Sequence, residues 1–434
     1  MTIAINNWSE LSDSEQRSLL ERPAVMDDAA IRSATTAIIA QVRQRGDEAL
    51  RELTKRYDGA DLETLRVSGA EIAGAVAQLS KTQLAAIDLA IANVRRFHEQ
   101  QRPRDIKVET MPGIVCERVS HALDSVGLSV PAGTAPLPSA AIMLAVPAAI
   151  AGCPTRILCT PPRSDGSADP AVLAAASRAG VREIYKVGGA QAIAAMAYGT
   201  ESIPKVCKLF GPGNAWVTSA KTLVSIDAHG AAIDMPAGPS EVLVIADDSA
   251  SAEFVASDLL SQAEHGVDSQ VVLVTTSAAL AERVNDELKR QLKNLSRANI
   301  ASEALKCSRI LLVDDIETAV MVSNRYAPEH LIVQIIEPRR ILGQIRNAGS
   351  VFLGPWTPES VGDYCSGTNH VLPTYGFAQT YSGLGVDQFM RRMTLQELSR
   401  EGLGSISDAV VSLAGMEGLD AHANAVTLRL KESP

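Results

Sequence analysis

The chain has 434 residues, more than one hydrophobic core ordinarily serves, so about three folding units are expected. Hydrophobic residues at 46% and charged residues at 21% exclude disorder along the whole chain. The formal net charge of -10 comes without any long block of like charge, which disfavours a nucleic-acid partner.

The chain opens MTIAINNWSELSDSEQ, with polar and acidic residues where an export signal carries basic and then apolar ones, so a cytoplasmic protein is expected. Residues 1–27 read as an N-terminal helical segment. Residues 28–57 form an amphipathic helical stretch that closes on Asp58-Gly59. From about Gly113, short β-branched runs alternate with Ala-rich helical stretches, the pattern of parallel strands joined by helical crossovers.

The first series places strands at 125–130, 156–160, 183–187 and 206–210 and defines a nucleotide-binding-like α/β domain over 113–240. Within it, residues 140–152 are the most apolar stretch, too short to span a bilayer and broken by Pro147, and read as a buried helix. The second series places strands at 241–246, 270–275, 309–313, 331–335 and 350–353. Together with the helices of 28–112, which are expected to lean on it, this series makes an α/β domain of 28–112 plus 241–383.

After 383 no strand is expected, and Thr394-Leu-Gln-Glu397 has the spacing of a capping box that starts a short helix ending at Gly402. Residues 384–434 therefore read as a helical tail. The six cysteines are scattered without a C-x-x-C pair, as expected of thiols in a reducing compartment.

Four of the seven histidines, His265, His330, His370 and His422, stand beside carboxylates or amides. In Gln262-Ala-Glu-His265-Gly266 the i, i+3 spacing puts Gln262 and His265 on one helical face, close enough to share an ion. A solvated helix end is the plain alternative. Asp363, in the Gly-rich segment PESVGDYCSGTNH that ends at His370, would complete a nitrogen and oxygen donor set suited to a borderline cation. His422 falls in the first turn of a helix capped by Asp420, where the dipole favours a neutral imidazole, or simply a surface helix start.

Adjacent residues entering a strand point in different directions, so Glu329 and His330 in APEHL can act on two atoms of one substrate, unless they form a structural pair. Two Gly-rich turns, VGGAQ and FGPGN, pass from strand to helix and expose amide groups suited to a pyrophosphate, although neither is G-x-G-x-x-G and both have a steric explanation.

The segments VGGAQAIAA, FGPGNA, DMPAGPSEVLVIAD, DLLSQAEHG, YAPEHL, PESVGDYCSGTNHVLPT and EGLDAHANAVTLR, in this order and over nearly the whole chain, resemble the L-histidinol dehydrogenase family. The resemblance implies an α/β fold of two Rossmann-like parallel-sheet domains, aldehyde-dehydrogenase-like, with small helical N- and C-terminal segments and an intertwined homodimer. It implies the last two oxidations of histidine biosynthesis: L-histidinol to L-histidine through L-histidinaldehyde, with two NAD and one zinc ion per subunit.

By motif match, Gln262, His265, Asp363 and His422 correspond to the zinc ligands, with His422 delivered from the partner's tail. The family's zinc orients the substrate through its imidazole and amine nitrogens. Ser240, Glu359, His370 and Glu417 match further substrate contacts, alongside the ligand set and His330. His330 matches the base for the alcohol proton and Glu329 the base that activates water against the aldehyde. An imidazole titrates near the operating pH, whereas Glu329 requires burial to act comparably.

NAD contacts fall on Ser129, Gln191 and Asn214. Here the sequence departs from the family pattern: Ser129 stands for a usual Tyr, Ala132 for Gly, Cys207 for Asp and Trp216 for Tyr or Phe, which implies weakened cofactor binding. The competing readings are a related zinc and NAD dehydrogenase of another small alcohol, a zinc hydrolase on the same residues, and a non-catalytic homologue.

Overall fold

The computed structural model describes residues 2–22, 29–132, 135–235 and 238–431. In chain order, β1 (Ile5–Asn7) and α1 (Asp13–Leu19) lead to α2 (Ala29–Asp58), α3 (Gly69–Gln78) and α4 (Lys81–Glu99). A hairpin follows, β2 (Ile106–Met111) and β3 (Ile114–Ala122). The first α/β series is β4 (Ser125–Ser129), α5 (Pro138–Ala151), β5 (Thr155–Thr160), α6 (Pro170–Arg178), β6 (Glu183–Lys186), α7 (Gly189–Tyr198), β7 (Lys208–Phe210), α8 (Ala215–Ser225) and β8 (Ala232–Ile233).

The second begins with β9 (Glu241–Ala246), α9 (Ala252–Ala263), β10 (Gln270–Thr275), α10 (Ala278–Leu292) and α11 (Ala298–Lys306). It continues through β11 (Arg309–Leu312), α12 (Ile316–Tyr326), β12 (His330–Gln334), β13 (Ser350–Leu353) and α13 (Glu359–Tyr364). The chain ends with β14 (Met390–Leu398), α14 (Arg400–Met416) and α15 (Asp420–Lys431).

Two parallel sheets result, one ordered β6-β5-β4-β7-β8 and the other β1-β11-β10-β9-β12-β13. Strands such as EVLVIA in β9 and QVVLVT in β10 are buried along their whole length because helices cover both faces, which is why they read as continuous apolar runs. The apolar stretch at 140–152 is indeed a buried helix, α5, with Pro138 in its first turn and Gly152 in the left-handed conformation at its end.

Three parts of the chain sit differently from expectation. Residues 1–27 are not purely helical, because β1 adds to the edge of the six-stranded sheet, pairing in parallel with β11. The proposed boundary at 27/28 lies outside the described residues. Residues 28–112 are not all helical, since Ile106–Met111 form β2 paired with β3, and their helices cover the five-stranded sheet rather than the six-stranded one: α2 packs on α7 and α8, α3 on α6 and α4 on α5. Ile38, Val42, Leu50 and Leu53 of α2 share a core with Ile157 and Ile193, where the small side chains of α7 allow close approach. Within α2 the helix breaks at Gly46, and Glu201 accepts the Asp47 amide beyond the break at 2.7 Å.

The third difference is in the tail. Residues 390–398 form a strand, pairing antiparallel with β3 over nine positions, in a small sheet ordered β14-β3-β2. This ladder overrides the Thr394 to Glu397 capping signal, and the working N-cap is Ser399, whose hydroxyl accepts from the Gly402 amide to start α14. The helix runs past Gly402 to Met416.

Candidate active site

Chain order explains how the two acidic and basic side chains meet. Helix α12 ends at Ala327, in the left-handed region, and Pro328 turns the chain into β12 so that Glu329 precedes the strand and His330 opens it. Both are buried. Gly349 lets the start of β13 run alongside, since a Cβ there would sit 2.6 Å from the Glu329 carbonyl oxygen.

Glu241, first residue of the neighbouring strand β9, holds both groups through its backbone: its amide donates to Glu329 Oε2 at 3.0 Å, and its carbonyl lies 3.2 Å from His330 Nδ1. The Glu241 side chain is anchored in turn by Arg22 Nε at 2.5 Å and by the Tyr375 amide at 2.6 Å. Sequence reasoning missed this support; a lone carboxylate opening the apolar run of β9 was its only trace.

His330 Nδ1 lies 3.2 Å from the Glu241 carbonyl, 3.7 Å from Glu329 Oε2 and 3.8 Å from Glu359 Oε2, with the Gln262 amide also beside it. Nε2 is left buried without a hydrogen bond, 3.7 Å from Asp363 Oδ1.

Burial opposes protonation of His330, but Glu329, Asp363 and Glu359 around it outweigh that and lift it to about 10, above the near-neutral value expected from the sequence. Burial lifts Glu329 to about 8 and Glu359 to about 7, with His330 pulling each back. These groups titrate as a set, and positive charge shared with Asp363 and Glu359 would release His330 toward neutrality.

A cluster able to hold a cation lies beside them. One ligand atom each from His265, Glu359 and Asp363 falls within 4.8 Å of the others. Glu359 belongs to this cluster, although the sequence implied only substrate contact for it. Gln262, on α9 one turn before His265, is buried with its terminal amide against Glu359 and 3.1 Å from His330 Nδ1 when its nitrogen faces the carboxylate. Imidazole, carboxylate and amide donors at this spacing, with a second orphaned imidazole nitrogen at His370 Nε2, fit a borderline divalent ion such as zinc.

A cleft of about 600 Å³ joins this cluster to the other sheet, lined on one side by Ser240, His265, Glu329 and His370 and on the other by Gly211, Asn214 and Trp216. It runs between the carboxyl end of the five-stranded sheet and the amino end of the six-stranded one, where β9, β10 and β12 all begin. Glu329 and His330 thus sit at strand starts, opposite to the usual position of ligand-binding residues in an open parallel sheet.

The turn at Gly211 presses against β4: its φ is +126°, and a Cβ there would collide with the Ser129 carbonyl. The turn leads into α8, whose first amides at Trp216 and Val217 are capped by Asn214 Oδ1 at 3.1 and 3.2 Å. A glycine cradle at a helix start in a cleft of this size fits a dinucleotide.

Other expected cofactor positions are less direct. Ser129, the last residue of β4, is buried against the Gly211 turn, and Gln191, on α7, is buried beside Gly189. Cys207 stands at the opposite, amino end of β7, exposed and beside Ser125, so its departure from the family pattern does not bear on the cleft. Among the described residues no cysteine lines the cleft.

Two expected residues are not brought to the site within one chain. Glu417 ends α14, and His422 lies exposed in the first turn of α15, which packs chiefly on α14.

The histidinol dehydrogenase family model matches residues 21–430. Curated histidinol dehydrogenases of Vibrio vulnificus and Vibrio cholerae are 56% and 55% identical over 425 residues, 98% of this chain and of each relative. The crystal structure of histidinol dehydrogenase from Elizabethkingia anophelis, 44% identical, superposes with a TM-score of 0.95 and covers 99% of this chain and 98% of that one. Beside the cleft, the adjacent Glu329 and His330 and the candidate cation cluster, these likenesses establish that the chain belongs to the histidinol dehydrogenase family.

Proposed function

We propose that the chain oxidises L-histidinol to L-histidine through L-histidinaldehyde, sending one hydride to NAD in each of two steps. The observation that carries this reading is the buried, unpartnered Nε2 of His330 beside Glu329, at the edge of a cleft that also holds the glycine cradle.

In the first oxidation His330 Nε2 accepts the hydroxyl proton as hydride leaves the carbinol carbon. Nδ1, held to the Glu241 carbonyl, keeps the ring in that orientation. In the second, Glu329 takes a proton from water as the water oxygen bonds to the aldehyde carbon, and the hydrated aldehyde then loses hydride to give the acid. Burial gives Glu329 the basicity this needs.

Zinc held by Gln262, His265 and Asp363, with His422 of the partner subunit, would orient the substrate through its nitrogens. Ser240, Glu359, His370 and Glu417 complete the substrate pocket. Ser129, Gln191 and Asn214 support the dinucleotide. A homodimer is part of this reading: Leu413, Met416, Leu419 and Leu428 of the tail are exposed, an apolar face suited to cover by a second copy. Six free cysteines fit a cytoplasmic setting, and among the described residues no helix is long and apolar enough to cross a membrane.

The test is NADH yield from limiting L-histidinol with zinc-loaded protein. Two NADH per histidinol, abolished by a chelator and restored by zinc, is the expected result. Histidinol-independent ester or amide hydrolysis without NADH would favour a zinc hydrolase instead.

A further inference from the structure

The buried pair Lys221 and Asp234 has no part in the steps above, although Asp234 opens the segment DMPAGPSEVLVIAD. Lys221 lies on α8 and Asp234 immediately after β8, and their side chains are in contact, almost wholly removed from solvent. Together they grip both polar groups of one peptide residue: Lys221 Nζ donates to the Gly211 carbonyl at 2.9 Å, and Asp234 Oδ2 accepts the Gly211 amide at 2.8 Å. Asp234 Oδ1 also accepts the Met235 amide at 2.7 Å.

Gly211 is the residue whose left-handed conformation sets the cradle against β4. Met235 begins the link by which the chain crosses from the five-stranded sheet to Ser240 and β9 of the other. Lys221 and Asp234 both line the cleft.

We infer that Lys221 and Asp234 are a positioning pair that fixes the Gly211 turn for the dinucleotide and ties it to the crossover leading to the base-bearing sheet. The inference rests on the dinucleotide reading of the cleft. A buried ion pair is a weak contributor to net stability compared with apolar packing, but it imposes one geometry on the groups it bonds. Here those groups are the amide and carbonyl of the cradle, so the pair acts on where the nucleotide sits relative to His330, and not on how the substrate is held.

Direct NADH binding by fluorescence and NAD saturation kinetics on the zinc-loaded full chain test this. Lys221→Met alone leaves Asp234 buried without its counter-charge and risks misfolding. The deciding variant is therefore Lys221→Met/Asp234→Asn, which removes both charges together. Its expected behaviour is a thermal midpoint close to the parent's, L-histidinol affinity by calorimetry within twofold, and an NADH dissociation constant and NAD KM raised tenfold or more.

A folded double variant with parental NADH affinity and NAD KM overturns the inference. So does a loss of histidinol affinity as large as the loss of NADH affinity, since that marks a general structural role. If the parent protein itself binds no NADH, the dinucleotide reading falls first and takes the inference with it.

Discussion

Glu329 and His330 are neighbours in sequence, yet their surroundings differ in a way that suits the separate roles proposed for them. His330 presents a bare Nε2 toward Asp363, while the Glu329 carboxylate is tied to the Glu241 amide. Replacing Glu329 by Gln is expected to slow aldehyde oxidation by about 10²- to 10⁴-fold while the first hydride transfer stays fast, and His330→Asn to slow the first transfer to a similar degree. Rapid-mixing NADH traces check this: Glu329→Gln gives one prompt equivalent and a slow second, and equal slowing of both phases would show that the roles are not divided.

Asp258, on α9, offers a separate pH test. Burial lifts its carboxyl to about 7, against a hydrogen bond from Gln334 Nε2 at 2.7 Å that pulls it down. A carboxyl raised on folding contributes its stability while protonated and loses it as pH climbs from the ordinary carboxylate range through the folded value. Asp258→Asn should therefore match the parent near pH 4 and exceed it at pH 8 by roughly 2–4 kcal/mol in chemical denaturation. An equal effect at both pH values would contradict the buried protonated state.

At the scale of elements, the placement of α2 has a direct consequence. Leu50 is fully buried in the core that α2 shares with α7, so Leu50→Ala should cost about 2–5 kcal/mol of unfolding free energy. Because that core lies under the five-stranded sheet, zinc affinity should be unchanged. A parallel loss of zinc would mean that α2 supports the other sheet after all.

The strands of both parallel sheets were legible because continuous apolar, β-branched-rich runs bounded by polar turn residues carry their own signal, as in β9 and β10. The sheet on which α2 packs was not, since an amphipathic face names no partner. Strand β14 was hidden for a related reason: MRRMTLQEL gains its nine-residue ladder only from β3, more than 250 positions earlier in the chain, while its Thr and Glu spacing satisfies a local helix rule. The site was legible where motifs sit close in sequence, as for Gln262 with His265 and Glu329 with His330. The parts that depend on distant contacts were not: neither the carboxylate that opens β9 nor Asp234 at the head of DMPAGPSEVLVIAD reveals from its local sequence that it holds Glu329 and His330 or, with Lys221, the Gly211 turn.

For the whole molecule, the proposed site is complete only with the tail. Glu417 and His422 lie on helices that pack on each other and expose apolar side chains, so the account needs a second copy. Inactive His330→Asn and inactive His422→Ala proteins, refolded together, should regain about a quarter of parental activity, because half of random dimers carry one intact site. No recovery would indicate that each chain builds its site alone.

The most direct measurement is zinc-edge anomalous diffraction from crystals of the zinc-loaded protein with L-histidinol. One strong peak per chain is expected at about 2.0–2.2 Å from donor atoms of Gln262, His265 and Asp363 and of His422 of the partner subunit. A peak away from these side chains, or ordered zinc here with the partner's His422 remote from it, would contradict the account.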